Sequence, residues 1–192
     1  MRILVLGSGT LATSLASRLR KAGHIAGTHQ DLDDVAMLRT LALGARVVFL
    51  VVPFHKCLDL PNRVFLARVV ADATDYFPSL GSDVPTTQGL SPSEVLAAHL
   101  HGASFVRIVN ADSLLSISEQ EPVGGSVPRV TVPIAGEDPA AKAAVADLIA
   151  DLGLDAVDIG TLADARTWRL ENPLSASSSN PVEAMRIRSA DV

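Results

Sequence analysis

The most constraining feature of this chain is a turn, Gly7-Ser8-Gly9-Thr10-Leu11-Ala12, set between two contrasting segments. Before it, Arg2-Ile3-Leu4-Val5-Leu6 is an apolar run of strand length. After it, Leu11, Leu15, Leu19 and Ala22 recur at helical spacing, and Gly23-His24 ends the pattern. A strand, a G-x-G-x-x-A turn and a helix in this order predict the first unit of a dinucleotide-binding fold. Each small residue has its own task. Gly7 permits the tight turn, Gly9 lets backbone approach a pyrophosphate, and Ala12 lets the helix pack on the strand. The helix N-terminus adds unpaired N–H groups and a partial positive charge. The plainer reading of the same residues is a generic strand–helix turn.

Composition narrows the class. Hydrophobic residues make up 48% of the 192 residues but aromatics only 4%. The core must therefore be Ala, Val, Leu and Ile, as in strands buried on both faces. A net charge of -5, with no Lys/Arg cluster, argues against non-specific nucleic-acid binding. It does not argue against an anionic ligand held by backbone N–H groups. A single cysteine, Cys57, rules out an internal disulfide and fits a reducing, cytoplasmic compartment. With no base nearby in sequence, Cys57 reads as inert rather than nucleophilic. The longest apolar stretch, residues 47–54, contains Pro53 and is too short to span a bilayer. No secretory leader is legible.

Further along, strands and helices alternate. Strand patterns cover residues 25–29, 46–52, 69–73, 104–109, 129–135 and 155–159. Helical patterns cover residues 31–43, 91–99, 138–152 and 161–170. Ser91-Pro92-Ser93-Glu94 has the composition of a capping box, and Asp138-Pro139 also opens a helix. This alternation predicts a Rossmann-type doubly wound, mostly parallel sheet with helices on both faces. Residues 1–173 would form the dinucleotide-binding domain with a small C-terminal strand–helix appendage, and residues 174–192 a loosely packed tail. Ligands of such sheets lie beyond the carboxyl ends of the strands. The segments that follow the strands, residues 7–12, 28–31, 52–55, 73–76, 110–113 and 135–138, are therefore the candidate site.

Taken together, these segments resemble the F420-dependent NADP oxidoreductases and related small dinucleotide-binding proteins. The resemblance runs from residue 1 to about 173. It rests on the glycine turn, Ala22-Gly23-His24, Val51-Val52-Pro53, and Val69-Val70-Ala71-Asp72-Ala73-Thr74-Asp75. Val106-Arg107-Ile108-Val109-Asn110 and Pro133-Ile134-Ala135-Gly136-Glu137-Asp138 complete it. The resemblance implies hydride transfer between NADP or NAD and a deazaflavin (coenzyme F420) or flavin, with the cofactor rings carrying the chemistry. It implies that Val52 and Pro53 pack near the nicotinamide or ribose. Thr74 and Asn110 would line the same cleft, and Ala135 and Gly136 would offer backbone groups to the nicotinamide amide. Each of these residues can also be read as merely ending its strand.

Three departures from the family pattern stand out. The family carries Ser-Arg after its second strand, where Arg meets the 2′-phosphate; here ungapped alignment places Gln30-Asp31 there. A carboxylate repels a phosphate but can accept from a free ribose diol, so Asp31 favours NAD, with His29 or Arg39 as partial compensation for NADP. Asp31 can equally cap the following helix. Asp75 replaces the usual Asn, and Asn110-Ala111-Asp112 replaces Asn-Thr. The added carboxylates would mark a changed acceptor or a protein that has lost catalysis. A non-catalytic dinucleotide-binding sensor or scaffold, and a reductase of another small carbonyl or imine, are the rival readings.

His55 follows the third strand at the ligand edge and could donate a proton or hydrogen bond, or be a solvated loop histidine. His99-x-His101 lacks further ligands nearby, so no metal site is expected. Trp168, the only tryptophan, sits in Thr167-Trp168-Arg169-Leu170. Trp and Arg are enriched where surfaces meet, so a homodimer closing the cleft with this segment is expected; the plainer reading is that Trp168 packs onto its own sheet edge.

Overall fold

The structure, a computed structural model, describes residues 1–74, 89–109, 111–115 and 130–166. Along the chain run β1 (Arg2–Leu6), α1 (Thr10–Lys21), β2 (Ile25–His29), α2 (Val35–Gly44), β3 (Val47–Leu50) and α3 (Phe54–Leu58). They are followed by β4 (Val69–Asp72), α4 (Pro92–His99), β5 (Ser104–Ile108), β6 (Thr131–Gly136), α5 (Pro139–Asp151) and β7 (Asp155–Asp158). The strands form one seven-stranded sheet in the order β2-β1-β3-β4-β5-β6-β7. The first five are mutually parallel. This is a Rossmann-like fold, with the strand order reversing at β1.

Side chains alternate across the sheet and build two cores. Val5, Phe49, Ala71 and Val106 meet Ala12, Leu15 and Leu19 of α1 and Val145, Leu148 and Ile149 of α5. Leu6, Leu50, Val70 and Phe105 face the other way, onto Leu38 of α2, Phe54 and Cys57 of α3, and Leu96 of α4. Double-sided burial is the reason the central strands read as unbroken apolar runs.

Local chemistry sets the helix starts. In α4 the Ser91 hydroxyl accepts from the Glu94 N–H at 3.3 Å, and Glu94 Oε2 accepts from the Ser91 N–H at 2.7 Å. This is the expected capping box. In α5, Asp138 Oδ1 accepts from the N–H groups of Ala140 and Ala141. Each such cap contributes about 1 kcal/mol. The second helix starts at Val35, not at residue 31. Asp31 Oδ1 accepts from the N–H groups of Asp33 at 3.0 Å and Asp34 at 3.3 Å, folding a turn first. Asp34 then caps α2 through the Met37 N–H. A short helix that the sequence pattern missed, α3, follows Pro53 directly and carries His55 and Cys57.

The sheet is mostly parallel, as expected, and β6 is the exception, so the segment after it leaves at the other edge. This strand is antiparallel to β5, and β7 is parallel to β6. A parallel neighbour would need a crossover, usually helical. Residues 110–129 carry Pro122, Gly124, Gly125 and Pro128 rather than a helical pattern.

Past β7, Leu162 inserts into the second core. A 3₁₀ turn, Asp164–Arg166, stands in the described part of the expected final helix. It brings Arg166 onto Glu94, with Nε donating to Oε2 at 2.6 Å and Nη2 to Oε1. Among the described residues, no helix is long and apolar enough to cross a membrane. The expected homodimer segment around Trp168 and the tail 174–192 lie outside the described residues, as do Asp75 and Asn110; Asp112 falls in the 3₁₀ turn Ala111–Leu115.

Candidate functional site

The site builds up from β1, where the chain is hemmed in on both sides. The Gly7 N–H donates to His29 O, and the Val51 N–H to Leu6 O, each at 2.8 Å. Gly7 has φ 143°, and a Cβ there would run into the Val51 carbonyl oxygen. Gly7 is thus a packing glycine, set by the close approach of β3 to β1. Gly9 differs. Its φ is 90°, and a Cβ would meet none of the described residues within 4 Å. The space beside it is open to a ligand. Ala12 is fully buried in the core beneath α1, as its expected role in helix packing requires.

Gly9 occupies the N-cap of α1, so no side chain caps that helix. The Thr13 hydroxyl turns back to donate to Gly9 O at 2.8 Å. Ser8, Gly9 and Thr10 are exposed. An uncapped helix N-terminus beside an open glycine turn can hold a phosphate through backbone N–H groups and the helix dipole. At the end of β2, His29 is half-buried and its Nε2 is buried without a partner among the described residues. Such a group is costly unless something bonds it. The turn, the open helix end and this unpaired nitrogen fit a dinucleotide laid across the carboxyl edge.

The same edge gathers most of the other expected residues. Leu11 is half-buried over the turn, while Gln30 and Asp31 are exposed past β2. Val52 is buried, and Pro53 is exposed at the N-cap of α3. His55 is exposed on α3. Thr74 reaches the edge but is buried, and its N–H and hydroxyl both donate to Asp72 Oδ1, at 3.0 and 2.7 Å. It holds the framework of the edge and does not offer a free hydroxyl.

Ala135 and Gly136 are the correction. Because β6 runs against β5, Ala135 pairs with Arg107 and Gly136 with Val106, inside the sheet. The segment after β6 emerges where the parallel strands begin, and Asp138 Oδ2 accepts there from the hydroxyl of Ser104 at 2.8 Å. A Cβ on Gly136 would meet the Phe105 carbonyl oxygen. Gly136 is therefore set by strand packing. The part of β6 at the carboxyl edge is its beginning, where Pro133 O accepts from the Val109 N–H.

Sequence reasoning also passed over a buried polar group. Asp72, the last residue of β4, is wholly buried. Its Oδ1 accepts from Thr74 and, at 3.3 Å, from Arg107 Nη1; its Oδ2 accepts from the Ser93 hydroxyl at 2.7 Å. Desolvating a carboxylate costs several kcal/mol unless such donors surround it. The available signal was a charged residue in each of two apolar strands, Asp72 between Ala71 and Ala73, and Arg107 between Val106 and Ile108. Cys57 lies buried nearby; burial pushes its thiol pKa up, and the Asp72 carboxylate adds to the shift. It stays a thiol at neutral pH, as the inert reading expects. His99 and His101 bond to the carbonyls of Leu60 and Ala98 rather than to each other.

No family model matches this chain, and no curated protein matches it. Solved structures do. A hypothetical protein, SMa0349 from Sinorhizobium meliloti, superposes with a TM-score of 0.69 at 22% identity, covering 93% of this chain and 95% of that one. A candidate F420-dependent NADP reductase from Arthrobacter sp. FB24 does so with a TM-score of 0.68 at 20% identity, over 88% of each chain. An imine reductase from Streptomyces aurantiacus matches at 0.56 and 11% identity, over 88% of this chain and 59% of that one. At these identities the likeness establishes the fold, a Rossmann-like, mostly parallel sheet with helices on both faces.

Proposed function

We propose that this chain is an NAD(P)-dependent oxidoreductase that transfers hydride between a nicotinamide and a deazaflavin- or flavin-type acceptor. One observation carries the reading: an uncapped helix N-terminus and an open glycine, Gly9, at the point where strand order reverses. The near-complete overlap with the candidate F420-dependent NADP reductase supports the acceptor class.

In this reading the backbone N–H groups at Gly9, Thr10 and Leu11 hold the pyrophosphate, and Ala12 keeps α1 tight on the sheet. His29 Nε2 and the turn at Gln30 and Asp31 meet the adenosine half. Val52 and Pro53 pack beneath the nicotinamide and exclude water. When bound, the nicotinamide supplies or receives the hydride. The protein contributes alignment and a dry cleft. A homodimer in the cytoplasm goes with this reading.

The test is direct binding of NADPH and NADH, followed by loss of nicotinamide absorbance with deazaflavin, FMN or a cyclic imine. Binding with turnover on a flavin-type acceptor supports the proposal. Turnover on the imine alone favours a reductase of the imine type, a reading to which the Streptomyces aurantiacus neighbour lends weight. Binding without any turnover leaves a sensor or scaffold.

A further inference from the structure

We infer that Arg107 recognises the second substrate, donating hydrogen bonds to a carbonyl or anionic oxygen on it. This rests on the dinucleotide reading above and concerns the far end of the same cleft.

Position comes first. β5 lies three strands from β1 in the sheet. At ~4.8 Å per strand that is about 14 Å, on the side away from β2. The glycine turn cannot reach there, and a hydride acceptor can. Arg107 is the next-to-last residue of β5. Its Nη1 donates at 2.9 Å to Thr74 O, which lies past the end of β4. The guanidinium therefore stands at the carboxyl edge.

Anchoring comes next. Nη1 also faces Asp72 Oδ1 at 3.3 Å and Thr74 Oγ1 at 3.4 Å. Asp72 is fixed from its other oxygen by Ser93 on α4. An arginine carries five N–H donors. Among the described residues all bonds of this one are made by Nη1, which leaves Nε and Nη2 without a protein acceptor. The side chain as a whole is only 13% exposed, so the guanidinium is held in place by its surroundings. A planar fork held at one nitrogen and open at the others is preorganised for an oxygen ligand. On the same face, but four residues along β6 from Ala135, the partner of Arg107, the Thr131 hydroxyl is also buried without a partner among the described residues.

If Arg107 served only to neutralise Asp72, any cation beside that carboxylate would suffice. Arg107→Lys separates the two roles, since it keeps the charge and removes the fork. The full chain, saturated with NADP⁺ so that no turnover occurs, is titrated with FMN and with riboflavin by flavin fluorescence. The expected result is an unchanged melting temperature, a dinucleotide Kd within twofold of wild type, and a flavin Kd raised tenfold or more. Weakening of both flavins assigns the contact to a ring carbonyl; weakening of FMN alone assigns it to the phosphate. Should the Lys variant unfold, the paired change Asp72→Asn with Arg107→Gln removes both charges together and is expected to show the same loss. Equal flavin binding by wild type and variant overturns the inference, as does a wild type that binds NADP⁺ but neither flavin. A wild type that binds no dinucleotide overturns the reading beneath it, and this inference with it.

Discussion

Along β2, β1, β3, β4 and β5 the strands run the same way, and the chain leaves each of them at a single edge. Along β6 and β7 the direction is reversed, and the chain leaves at the other. Each region has a glycine near a strand's end, Gly9 three residues past β1 and Gly136 closing β6, and the two differ in meaning. Gly9 has an open flank and an uncapped helix behind it. Gly136 is pressed against the Phe105 backbone, and the helix behind it is capped by Asp138. A helix whose end is already satisfied by a side chain has less to offer a phosphate. The lesson is that glycine after a strand signals a ligand only when the flank is open and the helix end is free.

The largest expected effect tests this contrast from the packing side. Gly136→Ala should lose about 3 kcal/mol of stability through backbone overpacking. NADPH affinity of the folded fraction should stay within about twofold, because the proposed cradle is on the other edge. Denaturant unfolding and fluorescence titration measure the two separately; a stable variant that no longer binds NADPH would put β6 back into the cofactor site.

Ser8→Glu probes the ligand side. Ser8 is exposed in the turn, so its substitution should leave the melting temperature alone. A carboxylate beside the pyrophosphate should weaken NADPH by about tenfold, or about 1.4 kcal/mol. Unchanged affinity would move the dinucleotide away from the turn.

Glu94 joins the two regions, since Arg166 reaches it from beyond β7. Glu94→Ala should cost about 1 kcal/mol through loss of the capping box. The Arg166 hydrogen bond, with help from Ser91, lowers the Glu94 pKa from 4.5 to about 2. The folded value is the lower one, so the stabilisation is fully present above pH 4.5 and fades as pH falls toward about 2. Thermal melts of wild type and variant should converge over that window. A constant gap down to pH 2 would show that the charge of Glu94 contributes nothing.

Asp31 should give the smallest effect. Asn can keep the turn, because its side-chain oxygen still accepts from Asp33 and Asp34. Asp31→Asn should therefore shift preference toward NADPH by about 0.5 kcal/mol, typical of an exposed charge. Competitive titration of NADPH against NADH reads it; a preference that does not move would leave Asp31 with the turn alone.

The sequence by itself determined what neighbours along the chain can encode. The apolar run of β3 follows from double-sided burial, the start of α4 from Ser91 and Glu94, and the seat of α1 from Gly9 and Ala12. These depend on φ, on side-chain period and on partners within about four residues. Tertiary structure alone decided that Asp72 and Arg107 meet, thirty-five residues apart, and that Thr74 is engaged rather than free. It also decided which edge Ala135 and Gly136 serve. A strand looks the same in sequence whichever way it runs, because its side chains alternate identically in both directions. Its direction is set by how the connection closes and which neighbour it bonds, and those partners are distant in the chain.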